Sequence, residues 1–419
     1  MKLKTMGIKK CNFKLSISNN GLVYILLLTI ALLHQASIFN WYYLTAIITS
    51  VIIFAISLIT YLKKTIKNSF DKQIYLFSKF IIFPWIILFI YNLFLQFSGI
   101  AVRDFTKTSI IQIMFTPCIL LGAVGGYYLF KKNTLRYFLY AVVINYIIII
   151  IYKMSVLGVG EFIKGSFSWL TGLESNNPFE TNSDLVLALG LLVIYYCNNF
   201  IIYKTKEKRH FEIVLVLIIF GGKRIELLAL IAIYFAAYAI DLVPERKKKI
   251  MQNLISISLI LFMLIFIYIV ISNKFTNLVN SYNINTMGRV QMWDYVAKFA
   301  KFSPYYMGKG YAFSNLILEK DRIYTYMGHT YVLHSDILKI YFDLGFIGFG
   351  FWAIYNLLIL PKLFRKQWGA EIATIIWFIT IYLFLLYFTD NCVNYYICQT
   401  LMVILILQSI FYKDNLKKN

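Results

Sequence analysis

Four stretches keep ionisable residues inside or beside runs apolar enough to cross a membrane, and their side chains suit chemistry on an anion. In FGGKRIELL, Lys223 and Arg224 follow a Gly221-Gly222 hinge. An arginine there offers a planar five-donor fork that matches phosphate oxygens. The competing reading, stronger for Lys223 than for Arg224, is a cation snorkelling to lipid headgroups. Gly288-Arg289 opens a second stretch, where the guanidinium would add its charge to helix N-terminal amides that already favour an anion. A solvated loop charge competes with that reading. The third stretch, HSDILKIYFDLGFIG, starts at His334 and places Asp336, Lys339 and Asp343 on one helical face, so that Lys339 can pair with either carboxylate. His334 stands at the mouth of that helix, where an imidazole titrating near neutrality could take a proton from a hydroxyl. His329, five residues upstream, has a poor spacing for shared metal ligation. The fourth set is acidic: Glu161, Glu174, Glu180, Asp184, Asp294 and Asp390. None has a spacing partner that singles it out, so each reads as a solvated loop charge that could also meet a sugar hydroxyl.

The elements that must position these groups are membrane helices. The chain has 419 residues, 60% hydrophobic and only 14% charged, too apolar for a soluble domain of this length. A hydrocarbon core of about 30 Å needs about 20 apolar residues as helix. Runs of that kind predict an all-α, polytopic protein of about twelve transmembrane helices at 21–36, 40–62, 75–97, 109–130, 135–152, 184–203, 211–222, 225–242, 252–272, 335–360, 371–389 and 393–411. The pair 211–222 and 225–242 also reads as one broken span. The whole chain, 1–419, is expected to be a single integral membrane domain, with one long exterior loop at 273–334. In that loop MGRVQMWDYVAKFAKF spaces Val290, Trp293, Val296, Phe299 and Phe302 as an amphipathic helix, lying on the membrane surface or packed against the bundle.

Basic clusters at 2–14, 63–72, 131–136, 204–209, 246–249, 362–366 and 413–418 hold 26 of the 41 lysines and arginines. All seven face the cytoplasm if both termini are inside, as the positive-inside rule prefers. The net charge of +22 is then a topology signal and an attraction to anionic lipid, with no nucleic-acid partner implied. No cleavable signal peptide stands apart from the first span, which is expected to be a retained anchor. Cys11 falls inside, Cys118, Cys197 and Cys398 fall within spans, and only Cys392 reaches the outer side, so no disulfide framework is expected. There is no DxD pair, no GxxxxGK[ST] loop and no GxSxG elbow, which disfavours an ATP-driven pump and a soluble-type nucleotide-sugar transferase.

Together, GGKRIELLAL, NNPFETN, GRVQMWDYVAKFAKFSPYYMGKGY and HSDILKIYFDLGFIG resemble the O-antigen polymerase and ligase family of bacterial surface-polysaccharide assembly. The matching features are a basic residue at the outer end of a middle helix, then Arg289 and Trp293 with the Gly308-Lys309-Gly310 turn, then His334, Asp343, Gly345 and Gly348. The resemblance covers the central and C-terminal half, and the first five spans by hydropathy alone. It implies a metal-independent glycosyltransferase in the bacterial inner or plasma membrane, without cofactor, acting on the outer face. Its donor would be an oligosaccharide on undecaprenyl diphosphate, and its partners membrane lipid, a chain-length regulator and a flippase. Carried over residue by residue, Arg224 and Arg289 would hold the diphosphate, and His334 would be the general base or a further diphosphate contact. Lys223, Gly308, Gly310, Asp336 and Asp343 would line the substrate site. Many relatives have a small residue before the arginine, so Lys223 is either a second phosphate contact or a lipid anchor. The expected function is polymerisation of lipid-linked repeat units into a capsule or O-antigen-type glycan. Ligation of finished glycan to a lipid or protein uses the same site, and a lipid-linked oligosaccharide flippase is the alternative of another class. Charges gathered at the outer third of the spans and in one loop favour the enzyme over a translocation path.

Overall fold

The computed structural model describes residues 19–33, 42–170, 183–203, 208–221, 223–282, 286, 288–323, 325–326, 329–330 and 332–416. The basic cluster 2–14 with Cys11, residues 204–207, the NNPFETN segment with Glu174 and Glu180, the last three residues, and the side chains of Asp184 and His329 lie outside that description.

Among the described residues the long apolar runs become helices, because a span in lipid must satisfy its backbone within itself. In chain order they are α1 (Asn19–Leu33), α2 (Tyr42–Leu62), α3 (Ser69–Phe97), α4 (Thr106–Phe130), α5 (Asn133–Leu157), α6 (Val159–Leu170), α7 (Ser183–Tyr203), α8 (Lys208–Gly221), α9 (Arg224–Asp241) and α10 (Glu245–Ile271). Then come α11 (Lys274–Ser281), α12 (Arg289–Ala297), α13 (Phe313–Lys320), α14 (Asp336–Ile354), α15 (Leu360–Trp368), α16 (Ala370–Leu386) and α17 (Tyr396–Leu416). Each of the twelve expected spans overlaps a helix, the span 335–360 running through α14 and a π-helical turn to the start of α15, and α8 and α9 are separate. Among the described residues six helices are long and apolar enough to cross a membrane, and shorter apolar helices lie at Asn19–Leu33, Leu185–Cys197, Ala370–Leu386 and Tyr396–Phe411. Among the described residues the only strands are a short hairpin pairing Thr325–Tyr326 with His329–Thr330.

The packing is that of a protein surrounded by lipid. On α10, Leu254, Leu261, Phe262 and Ile265 are exposed, while Gln252, Ser256, Met263 and Ile267 are buried. Polar groups turn inward because they find partners only there. Gln252 donates to Thr374 Oγ1 at 3.0 Å, and Ser256 donates to the Leu357 carbonyl at 3.1 Å while accepting from Trp377 Nε1 at 2.8 Å. Leu357 lies in a π-helical turn, Tyr355–Ile359, that joins α14 to α15, and such a turn frees carbonyls from the regular ladder.

At one end of the molecule, α2 and α3 meet α4 through basic residues: Lys64 is 2.7 Å from Asp71 and lies over the Tyr128 ring, and Lys131 lies over Phe70. Another end is formed by the starts of α9, α14 and α17 with the end of α16, and the long loop closes on it. The amphipathic segment of that loop is α12, packed on the bundle by Val290, Met292, Trp293 and Val296, and it stops at Ala297. Phe299 and Phe302, which the spacing assigned to the same helix, lie beyond it and stay partly exposed.

The segment Tyr306–Ser314 is clasped from two sides. From α14, the Asp343 carbonyl accepts Lys309 N at 3.0 Å and Gly310 N at 2.9 Å, and the Tyr306 carbonyl accepts Phe346 N at 2.8 Å. From the α3–α4 hairpin, Tyr91 donates to the Met307 carbonyl, Asn92 Oδ1 accepts Tyr311 N at 2.8 Å, and Val102 N reaches the Lys309 carbonyl. This approach needs glycine on both faces. Gly345 breaks α14 with φ of 67°, and Gly308 has φ of 93°. A Cβ on Gly308 would stand 2.4 Å from the Asp343 carbonyl oxygen, and one on Gly345 would stand 2.2 Å from that of Tyr306. Gly308→Ala is therefore expected to cost more than the roughly 1–2 kcal/mol of the left-handed backbone alone. Its apparent melting temperature in detergent should fall well below that of Gly160→Ala, whose Cβ meets nothing within 4 Å. Equal melts for the two variants would show that the contact gives way freely.

Candidate functional site

The cations and the histidine singled out by sequence come from different elements. Lys223, in extended conformation, caps α9 without a side-chain hydrogen bond to it, and Arg224 opens that helix as an exposed residue. Arg289 opens α12 after Gly288, whose φ of 80° turns the chain into the helix. Two contacts fix α12. Trp293, in edge-to-face contact with Phe266 of α10, donates its indole N–H to the Leu333 carbonyl at 2.7 Å, and Thr276 of α11 donates to the Asp294 carboxylate. The indole bond ties the helix carrying Arg289 to the residue before His334.

His334 itself is held in the left-handed region, φ 48°, between the fully buried Leu333 and Ser335. A non-glycine residue in that region costs about 1–2 kcal/mol and persists where neighbours over-determine it. The neighbours here are bonds on the α14 side. Ser335 accepts Leu338 N as the cap of α14, and its hydroxyl donates to the Tyr387 carbonyl at 3.2 Å. Asp336 N and Ile337 N donate to the carbonyls of Asp390 and Tyr387 at 3.2 and 3.3 Å. The turn between α16 and α17 is thus bonded onto the start of α14.

That turn brings a residue for which the sequence offered no partner. Asp390 is buried, its carboxylate accepts Asn391 N at 3.0 Å and the Tyr395 hydroxyl, and its charge acts on His334. Arg289 reaches the same turn, donating from Nη1 to the Thr389 carbonyl at 3.2 Å. Burial pushes the His334 imidazole below its ordinary value; the Asp390 carboxylate opposes that shift, and the cations Arg289 and Lys223 add to it. The structure therefore assembles Lys223, Arg289, His334 and Asp390 in one electrostatic neighbourhood. Arg224, an exposed residue next to Lys223 in the chain, is not among the charges that act on His334.

The remaining expected site residues sit in the scaffold under this group. Gly308 and Gly310 close against the backbone of α14 and against the Gln96 side chain of α3. Asp343 is fully buried, and its two carboxylate oxygens accept Ala312 N at 2.7 Å and Ser314 N at 2.8 Å, at the N-terminus of α13, where a negative charge is favoured. Asp336, also fully buried, accepts Val393 N at 2.7 Å. The direct lysine–carboxylate pairing expected from helical spacing is corrected: each carboxylate takes backbone amides, and among the described residues no ion pair of 4 Å or less joins Lys339 to either, although both act on it electrostatically.

Residues 211–353 match a family model described as O-Antigen ligase, a span that includes Lys223, Arg224, Arg289 and His334 and ends before Asp390. Comparison with curated proteins and with solved structures gives no match. The chain is a polytopic helical membrane protein whose residues 211–353 match the O-antigen ligase family model, consistent with the O-antigen polymerase and ligase family.

Proposed function

We propose that this protein is a membrane glycosyltransferase that extends a surface polysaccharide by transferring a growing chain from its lipid diphosphate to a new lipid-linked repeat unit. The observation that carries the reading is the convergence of Lys223 and Arg289 with His334 and Asp390 where the long loop meets the starts of α9 and α14. In the transfer, an acceptor hydroxyl oxygen attacks the anomeric carbon, the bond from that carbon to the diphosphate oxygen breaks, and the hydroxyl proton passes to His334. The departing diphosphate keeps the bonding electron pair, and fixed cations stabilise the charge it gains. Arg289 and Lys223 are placed for that role, with Arg224 at the rim. Asp390 stabilises the imidazolium that forms, as a carboxylate does behind a basic histidine. The cationic cluster takes the place a divalent ion would fill, so the reaction runs without one.

In this reading the basic helix ends face the cytoplasm with both termini, and the site opens on the outer face of a bacterial plasma or inner membrane. The donor is an undecaprenyl-diphosphate-linked oligosaccharide, and a flippase and a chain-length regulator work alongside. The family model's own description favours a second reading, ligation of finished glycan to a lipid or protein, which uses the same site. Product size separates the two. Purified protein given authentic lipid-linked repeat units should make a ladder of longer glycans, equally in EDTA and in Mg²⁺. Absence of a ladder with transfer to an added acceptor would establish the ligase, and loss of activity in EDTA would overturn metal independence.

A further inference from the structure

Below the site, α14 carries three fully buried charged residues within two turns, and the proposed transfer step assigns no role to the lysine among them. Asp336 and Asp343 each hold a different backbone segment. Asp336 holds the α16–α17 turn, through Val393 N on its carboxylate and its own N–H on the Asp390 carbonyl. Asp343 holds the long loop, through Ala312 N and Ser314 N. Lys339 follows Asp336 by three residues and precedes Asp343 by four, the spacings that face one another on a helix, and both carboxylates act electrostatically on it. Its Nζ is fully enclosed, 5.3 Å from the Tyr311 ring centroid, and among the described residues it makes no hydrogen bond. Asp336 Oδ1 is likewise enclosed without a hydrogen bond.

We infer that Lys339 is a positioning residue, a single buried cation shared by two carboxylates, which couples the long-loop arm of the site to the α16–α17 turn that carries Asp390. In a low-dielectric interior one cation acts on both neighbours at once, and its removal leaves two like charges to weaken both sets of backbone bonds. The arms it joins carry the Tyr306–Ser314 segment on one side, and Asp390 with the Thr389 carbonyl that Arg289 holds on the other. Their relative placement then depends on a residue that touches neither substrate nor His334.

Hydrogen–deuterium exchange on the full chain in lipid nanodiscs tests this without reference to activity. In Lys339→Met the peptides covering 308–316 and 389–395 should both exchange at least about tenfold faster than in the parent. Asp336→Asn/Lys339→Met, which again leaves no net excess of buried charge relative to a single carboxylate, should recover protection in 308–316. A parent-like rate in either peptide of Lys339→Met would mean that the lysine serves one arm or none, and would overturn the inference. Should Lys339→Met fail to insert, Lys339→Gln is measured in its place on the same two peptides: faster exchange in both supports the coupling, and a parent-like rate in either overturns it. The kinetic arm rests on the proposed transfer reaction. There Lys339→Met should lower kcat by at least about tenfold with KM for the lipid-linked donor little changed, and a raised KM at parent kcat would overturn the positioning role. A parent protein that makes no glycan product would count against the transfer reading, and the exchange rates would still decide the lysine.

Discussion

Arg289→Ala is expected to lower glycosyl transfer by about 10²–10³-fold, the loss typical when one pre-placed donor to a developing negative charge is removed. The variant should still insert, since among the described residues the side chain makes one hydrogen bond, to the Thr389 carbonyl, and α12 remains pinned by Trp293. A second effect has a definite sign. Arg289 is one of the cations holding the His334 imidazole down, so its loss should raise the value at which His334 titrates and move the acid limb of the pH–rate profile to higher pH. Arg289→Lys keeps the charge without the planar fork and should recover the limb better than the rate. Normal rates in Arg289→Ala, measured on the same lipid-linked substrate, would remove the guanidinium from the site.

Asp390→Asn is expected to act in the opposite direction on the same profile. The carboxylate opposes the depression of His334 by burial and by the two cations, so without it the imidazole becomes less basic. A histidine that works as a base must be neutral to accept a proton. The acid limb should therefore move to lower pH, while the rate on the plateau falls by about 10²-fold, the low end of what a positioned general base contributes. The amide can still accept from Asn391 N and Tyr395, so the turn should keep its shape and the protein its melting temperature. An unmoved limb with a lowered rate would mean that His334 is a diphosphate contact, the other role the family resemblance allows. Opposite displacements in the Arg289 and Asp390 variants are difficult to obtain from a general loss of fold, which would lower both rates without moving either limb.

What could be read from the sequence follows from the range over which each signal acts. The spans were legible because the cost of an unpaired backbone in lipid imposes about twenty apolar residues on each, whatever surrounds them. The candidate cations stood out for a related reason, since a charge at the edge of an apolar run needs a cause, and of Lys223, Arg224 and Arg289 the first and last act on His334. Asp390 was not legible. Its partner lies on another helix, and two of the four bonds that place its turn on α14 run through the backbone N–H groups of Asp336 and Ile337, which carry no residue-type signature. Gly308 and Gly310 showed as a turn, yet the sequence does not say what stands opposite: the broken backbone at Gly345 for the first, and the Gln96 and Ala101 side chains for the second. Helical spacing placed Asp336, Lys339 and Asp343 together correctly and still misjudged their partners, because it is blind to the amides of Val393, Ala312 and Ser314 arriving from elsewhere in the chain.

The bonding of the α16–α17 turn onto the start of α14 also sets an order in time. A chain leaves the ribosome from its N-terminus, and α9, α12 and α14 are all synthesised before that turn exists. Until the last two helices arrive, His334 has its cations but no carboxylate, and the N–H groups of Asp336 and Ile337 have no carbonyls to meet. A nascent protein that already holds every residue matched by the family model therefore still lacks Asp390 and the two carbonyls that hold the start of α14.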